Sequence, residues 1–155
     1  MRCYFNGSVH GADQLARQAG TVSFAIPDIG VVFRSRWAGN LLECQYAALL
    51  SLLQFIESNA KVFKNKEIQI FTDASVVVYH LTKKTFIFNS IKPYYRMVRA
   101  YKAKFDFSVR WIPEKENAAY QGLTDTPPMK PSVEINYSIN NDKNANSRRG
   151  GVLPM

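Results

Sequence analysis

IQIFTDASVVVYHL, residues 68–81, reads as an apolar strand that ends in an acid and runs directly into a short helix, with Asp73 at the turn between them. This stretch alone leaves two readings of Asp73 open. It is a helix N-cap, its carboxylate accepting N–H bonds from the turn that residues 74–76 begin. Or it is a carboxylate at the C-terminal edge of a sheet, where open α/β proteins place ligands and metals.

Toward the C-terminus, Lys83 and Lys84 lead through Phe86, Ile87 and Phe88 to Pro93, which suits the first turn of a helix. Tyr94, Met97, Val98, Tyr101 and Phe105 form the apolar stripe of that helix, with Arg96, Arg99, Lys102 and Lys104 outside it. A basic face of this kind is either solvated or in contact with phosphates, and Lys83, Lys84, Arg96, Arg99 and Lys102 are the candidate nucleic-acid contacts. Residues 107–112 read as a last strand, Pro113 and the run 114–117 as a polar loop, and residues 118–123 as a short helix. Beyond Thr124 the composition shifts to Pro127, Pro128 and Pro131 and then to NYSINNDKNANSRRGG. We expect a folded domain over 1–124 and a mostly disordered basic and polar tail over 125–155.

Toward the N-terminus, residues 61–67 form a polar, basic link. Before it, Leu42, Tyr46, Leu49, Leu53 and Ile56 recur at three- and four-residue spacing, which predicts a helix from Asn40 to near Ser58. Asn40 is its expected N-cap, and Glu43 falls where a capping box places an acid. In the first stretch, Cys3 and Phe5, then Val22, Phe24 and Ile26, then Val31, Val32, Phe33 and Trp37 mark three strands punctuated by Gly20 and the Pro27 to Gly30 turn. Residues 6–18, with Gly7, Ser8 and Gly11, read as a loop. Strands linked by hairpins followed by strands alternating with helices require a mixed sheet with helices on both faces.

The chain has 155 residues, enough for one domain that buries a core without disulfides. Its two cysteines fit no metal or redox spacing, so a reduced intracellular protein, cytoplasmic or nuclear, is expected, and no apolar run suits a membrane span. The net charge of +8 favours a polyanionic partner, since clustered cations gain affinity for phosphate backbones by releasing counterions.

Four segments in order resemble the ribonuclease H family: YFNGS its first strand's acidic YxDGS, LLECQYAALLSLL its ECxYxALLxxL helix, IFTDASVVV its xxSDSxxVV turn, and WIPEKENAAYQGL its WVPxxxNxxADxLA close. The resemblance covers residues 2–123. It implies a five-stranded mixed sheet, three antiparallel strands and then alternating α/β. It also implies a site of four carboxylates holding two Mg²⁺ ions that activate water and stabilise the leaving oxygen in phosphodiester hydrolysis. Carried over residue by residue, that site is Asn6, Glu43, Asp73 and Gln121. Asn6 and Gln121 are amides where the family has acids, which removes two negative charges from a site where two divalent ions ~4 Å apart repel by roughly 16 kcal/mol at an effective dielectric of 20.

The resemblance therefore implies a ribonuclease H-like module that associates with nucleic acid, an RNA–DNA hybrid or other duplex, or with a protein partner, and that is impaired in catalysis. Glu43 and Asp73 are the remaining metal ligands, with Mg²⁺ held weakly or not at all, or Mn²⁺ in its place. The competing reading is an active Mg²⁺-dependent endonuclease that cuts the RNA strand of RNA–DNA hybrids, Asp125 substituting one turn beyond Gln121. The family's usual His before the last acid has no equivalent. His80 is expected to be structural, and His10 either exposed or near the site.

Overall fold

The computed structural model describes residues 1–121 and 133–136, with side chains through Ala119. Strands β1 (Arg2–Val9), β2 (Gln18–Ile26) and β3 (Val31–Gly39) form an antiparallel meander. Then follow α1 (Leu41–Ser58), α2 (Ala60–Phe63), β4 (Gln69–Thr72), α3 (Ser75–Thr82), α4 (Lys92–Lys104), β5 (Ser108–Trp111) and α5 (Ala118–Gln121). The strand β6 (Val133–Asn136) closes the described chain. The sheet order is β5-β4-β1-β2-β3-β6, with β4 parallel to both β1 and β5.

The five expected strands are present in the expected order. A sixth, β6, arises inside the stretch assigned to the tail and pairs parallel to β3, from Val31 with Val133 to Arg34 with Asn136. The remainder of 125–155 lies outside the described residues.

Helix α1 starts as its sequence dictates. Asn40 Oδ1 accepts from Glu43 N at 2.8 Å and Glu43 Oε1 accepts from Asn40 N at 2.9 Å, a complete capping box. Its buried Tyr46, Leu49, Leu50, Leu53 and Ile56 cover one face of the sheet together with Cys3, Phe5, Phe24 and Phe33. Each such aliphatic or aromatic burial contributes about 1.5–3 kcal/mol. On the opposite face Tyr4, Ala25 and Val32 meet Ala118 and Ala119 of α5. His80 of α3 is buried, with Nδ1 in a hydrogen bond with the Tyr46 hydroxyl at 2.7 Å, the structural role expected of it. Burial depresses its pKa. Cys3 and Cys44 are free and fully buried, and burial pushes both thiols up to about 12.

One expectation needs correction, and one open reading is decided. Residues 6–9 are not loop but the second half of β1, paired in register with β2 from Asn6 with Ser23 to Val9 with Gly20. Their polarity reflects contact, not exposure: Gly7 lies against α1 so closely that a Cβ would fall 2.5 Å from the Cys44 carbonyl carbon. The true loop is residues 10–17. Asp73, in turn, is not the N-cap of α3. That position belongs to Ala74, which makes no side-chain cap bond, and the Ala74 N–H is taken by Thr72 Oγ1 at 3.2 Å. The Asp73 carboxylate meets other partners instead.

Candidate functional site

Parallel pairing of β1 with β4 sets Tyr4 beside Phe71. Asn6 and Asp73 each lie two positions further along, so the strand period places both at one end of the sheet and on one face. Asn6 Nδ2 donates to Asp73 Oδ1 at 3.3 Å. Asn6 is 5% exposed, and its Oδ1 has no hydrogen-bond partner among the described residues. The opposite amide orientation would set Oδ1 against the carboxylate, so the electrostatics fix this one.

A third side chain completes the cluster. Asn117, fully buried, donates through Nδ2 to Asp73 Oδ1 at 2.7 Å and to the Phe5 carbonyl at 2.8 Å, and its Oδ1 accepts from Ala119 N at 3.0 Å. It thus joins the middle of β1, the carboxylate after β4 and the start of α5. Thr72 Oγ1 donates to the same Phe5 carbonyl at 2.9 Å, and Ser23 Oγ donates to the Ala119 carbonyl at 3.3 Å, fastening α5 to the sheet. Asn117 stood inside the WIPEKENAAYQGL segment, but a buried bridging Asn and a turn Asn look alike until their partners are known.

Glu43 stands in the first turn of α1, immediately before the Cys44 backbone that Gly7 touches. Its carboxylate is engaged in the capping box, beside Gly39, where a Cβ would sit 3.0 Å from Oε1. The structure therefore joins Asn6 directly to Asp73 and holds Glu43 by local bonds. The Gln121 side chain and all of Asp125 lie outside the described residues. Among the described residues, no three His, Cys, Asp or Glu side chains form a group suited to a metal ion. His10 is exposed just past β1, and its Nε2 lies 3.2 Å from Thr21 Oγ1.

The basic residues divide into two sets. Lys83 and Lys84 are exposed just after α3, and Arg96 and Arg99 are exposed on α4, where Arg99 donates to the Tyr95 hydroxyl at 3.1 Å. Lys102 and Lys104 instead pair with Asp106 and Glu57, each at 2.7 Å. Phe86 and Phe88, in the segment joining α3 to α4, are 71% and 62% exposed with rings edge to face at 5.4 Å. Phe-Ile-Phe after two lysines carried that signal: strand-like alternation buries Ile87 and turns both phenyl rings outward.

Architecture and site together define a ribonuclease H-like fold, and solved structures agree. LC11-RNase H1, isolated from compost and solved in complex with an RNA/DNA hybrid, superposes with a TM-score of 0.66 at 13% identity over 79% of this chain and 91% of that one. RNase H1 from the halophilic archaeon Halobacterium salinarum gives 0.63 at 19% identity over 79% and 92%. The N-terminal RNase H domain of a Mycobacterium tuberculosis protein gives 0.61 at 13% identity over 79% and 90%. No protein-family model matches the sequence, and no curated protein matches it significantly. At these identities the likeness is one of fold. No described helix is long and apolar enough to cross a membrane.

Proposed function

We propose that this chain is a ribonuclease H-like nucleic-acid-associated domain that engages an RNA–DNA hybrid or another duplex without efficient hydrolysis. The observation that carries this reading is the pair of amide N–H groups, from Asn6 and Asn117, directed at Asp73 Oδ1. Two-metal phosphodiester hydrolysis needs anionic oxygens facing the ions. Here the strand position facing Asp73 carries a neutral amide that donates to the carboxylate where the family has a second anionic oxygen, so the charge that would hold a second ion is missing. Gln121 is the second amide among the four family positions, and Glu43 and Asp73 are the acids that remain.

Mg²⁺ or Mn²⁺, when bound, would be held by Asp73 and Glu43 and would supply electrostatic attraction to a phosphate. With two of the four acids absent, that attraction is weak. Affinity for nucleic acid rests instead on Lys83, Lys84, Arg96 and Arg99, with Phe86 and Phe88 offering ring faces on which unpaired bases stack. The hybrid bound by LC11-RNase H1 supports nucleic acid as the partner class.

The test is incubation of a labelled RNA–DNA hybrid with the protein in Mg²⁺ and in Mn²⁺, beside a gel shift of the same hybrid over a salt series. The expected result is retention at low salt that weakens as salt rises, with the RNA strand intact. Cleavage that disappears in Glu43→Gln overturns the non-catalytic reading, and failure to retain hybrid, duplex or single strand at low salt overturns the nucleic-acid reading.

A further inference from the structure

The two edges of the sheet are finished differently. At one edge β6 pairs along β3. At the other, β5 pairs only with β4 among the described residues and leaves its outer side open. The ladder shows which groups are open. Ser108 N donates to the Ile68 carbonyl at 3.1 Å and Ile112 N to the Thr72 carbonyl at 2.9 Å, so the even-numbered residues face β4. By the two-residue period of a parallel strand, Val109 and Trp111 turn both their N–H and their C=O groups outward.

Beside this edge lies a surface pocket of about 410 Å³, whose apolar wall is Leu81, Val98, Phe107 and Val109. Arg99 and Lys102 stand at its margin, and no acid is among its described lining residues. Lys102 pairs with Asp106, whereas among the described residues Arg99 meets the Tyr95 hydroxyl and ring and no acid. Trp111, two residues beyond Val109 and so on the same face of the strand, is 53% exposed.

We infer that the β5 edge is a docking site for an acidic, extended peptide that adds a strand to the sheet. Its backbone pairs with Val109 and Trp111, one apolar side chain enters the pocket, and a carboxylate meets Arg99. The chemistry selects a peptide over nucleic acid. A phosphate backbone accepts hydrogen bonds but donates none to the outward carbonyls, whereas a peptide strand satisfies donors and acceptors alike. Open carbonyls and an apolar pocket are features that a hybrid does not use; Arg99 is shared with the basic surface proposed for nucleic acid, so the strand edge and the pocket carry the distinction between the two.

The probe is a fluorescein-labelled octapeptide of alternating Glu and Leu, titrated against the whole chain by anisotropy. The expected result is saturable binding that falls about tenfold or more, some 1.4 kcal/mol, when alternate peptide amides are N-methylated. The Trp111→Pro variant should weaken binding by a similar factor. It removes an outward N–H but none of the bonds to β4, and hybrid retention stays unchanged. Arg99→Glu should also weaken binding, and the peptide should slow hydrogen exchange at the Val109 and Trp111 amides.

Undiminished binding of the N-methylated peptide, or protection confined to other strands, overturns the proposal without requiring any variant to fold. If those amides are already protected in a dimer that forms without peptide, the edge belongs to a second copy of the chain and the proposal fails. If hybrid displaces the peptide and Trp111→Pro abolishes hybrid retention, the edge serves nucleic acid and the proposal fails equally.

Discussion

Asn117 Nδ2 lies 2.7 Å from Asp73 Oδ1 and 2.8 Å from the Phe5 carbonyl, so one fully buried side chain ties the acid after β4 to the middle of β1. Truncation to Ala leaves the Phe5 carbonyl with one fewer donor and the carboxylate with one fewer. We expect Asn117→Ala to lower stability by about 2–4 kcal/mol, read from urea denaturation, because two to three buried hydrogen bonds are lost together.

Asn6 gives a more diagnostic substitution. Asn6→Asp replaces an N–H donor to Asp73 by a second carboxylate, and two acids in hydrogen-bonding contact repel. In EDTA the variant should be less stable by about 1–3 kcal/mol, and Mg²⁺ should restore much of that loss by bridging the pair. A thermal melt with and without Mg²⁺ checks it. The unaltered chain should show a far smaller Mg²⁺ effect, and an equal effect in both would mean that Asn6 does not decide metal binding.

His80 predicts how stability depends on pH. Its folded-state pKa lies below the ordinary 6.5 because burial disfavours the imidazolium, and Nδ1 shares a hydrogen bond with the Tyr46 hydroxyl that the neutral ring makes in either tautomer. The unfolded chain therefore binds the proton first as pH falls. Stability is complete above about pH 6.5, declines as pH drops from there toward the lowered folded value, and levels below it. Urea midpoints between pH 8 and pH 5 should show this decline, and His80→Gln, which keeps an acceptor but cannot titrate, should flatten it.

For nucleic acid, charge and stacking should separate. Replacing Lys83 and Lys84 by Ala should reduce the steepness with which binding falls with salt, by roughly one to two in the log–log slope. Replacing Phe86 and Phe88 by Ala should weaken binding to single strands by about 1–3 kcal/mol per stacked base while leaving that slope alone. Gel shifts at several salt concentrations distinguish the two effects. Identical behaviour of both variants would mean that the rings do not touch bases.

What the residues disclosed in advance follows the range of the forces involved. The capping box of Asn40 and Glu43 and the length of α1 were legible because cap and period act within one or two turns. The strand order was legible through hairpin spacing and motif order. The second half of β1 was not, because Asn6, Gly7 and Ser8 have poor strand propensity and owe their strand to the pairing with β2 and the close approach of α1. Asp73 was read at the right turn, but its bonding across the sheet rather than to the helix rests on Asn6 and Asn117, whose amides donate to its carboxylate. Asn117 and β6 escaped for a shared reason: the partners that define them are strands far away in sequence.

The two buried thiols have a further use. Because Cys3 and Cys44 are shut away from solvent and held as thiols, an alkylating reagent meets them only when the structure opens. Cys3 belongs to β1 and Cys44 to the first turn of α1, the two elements that meet at Gly7. Their labelling rates thus serve as two built-in clocks. If they run together, strand and helix separate as one unit; if Cys44 runs ahead, the helix end that carries Glu43 lifts from the sheet while the strand stays paired.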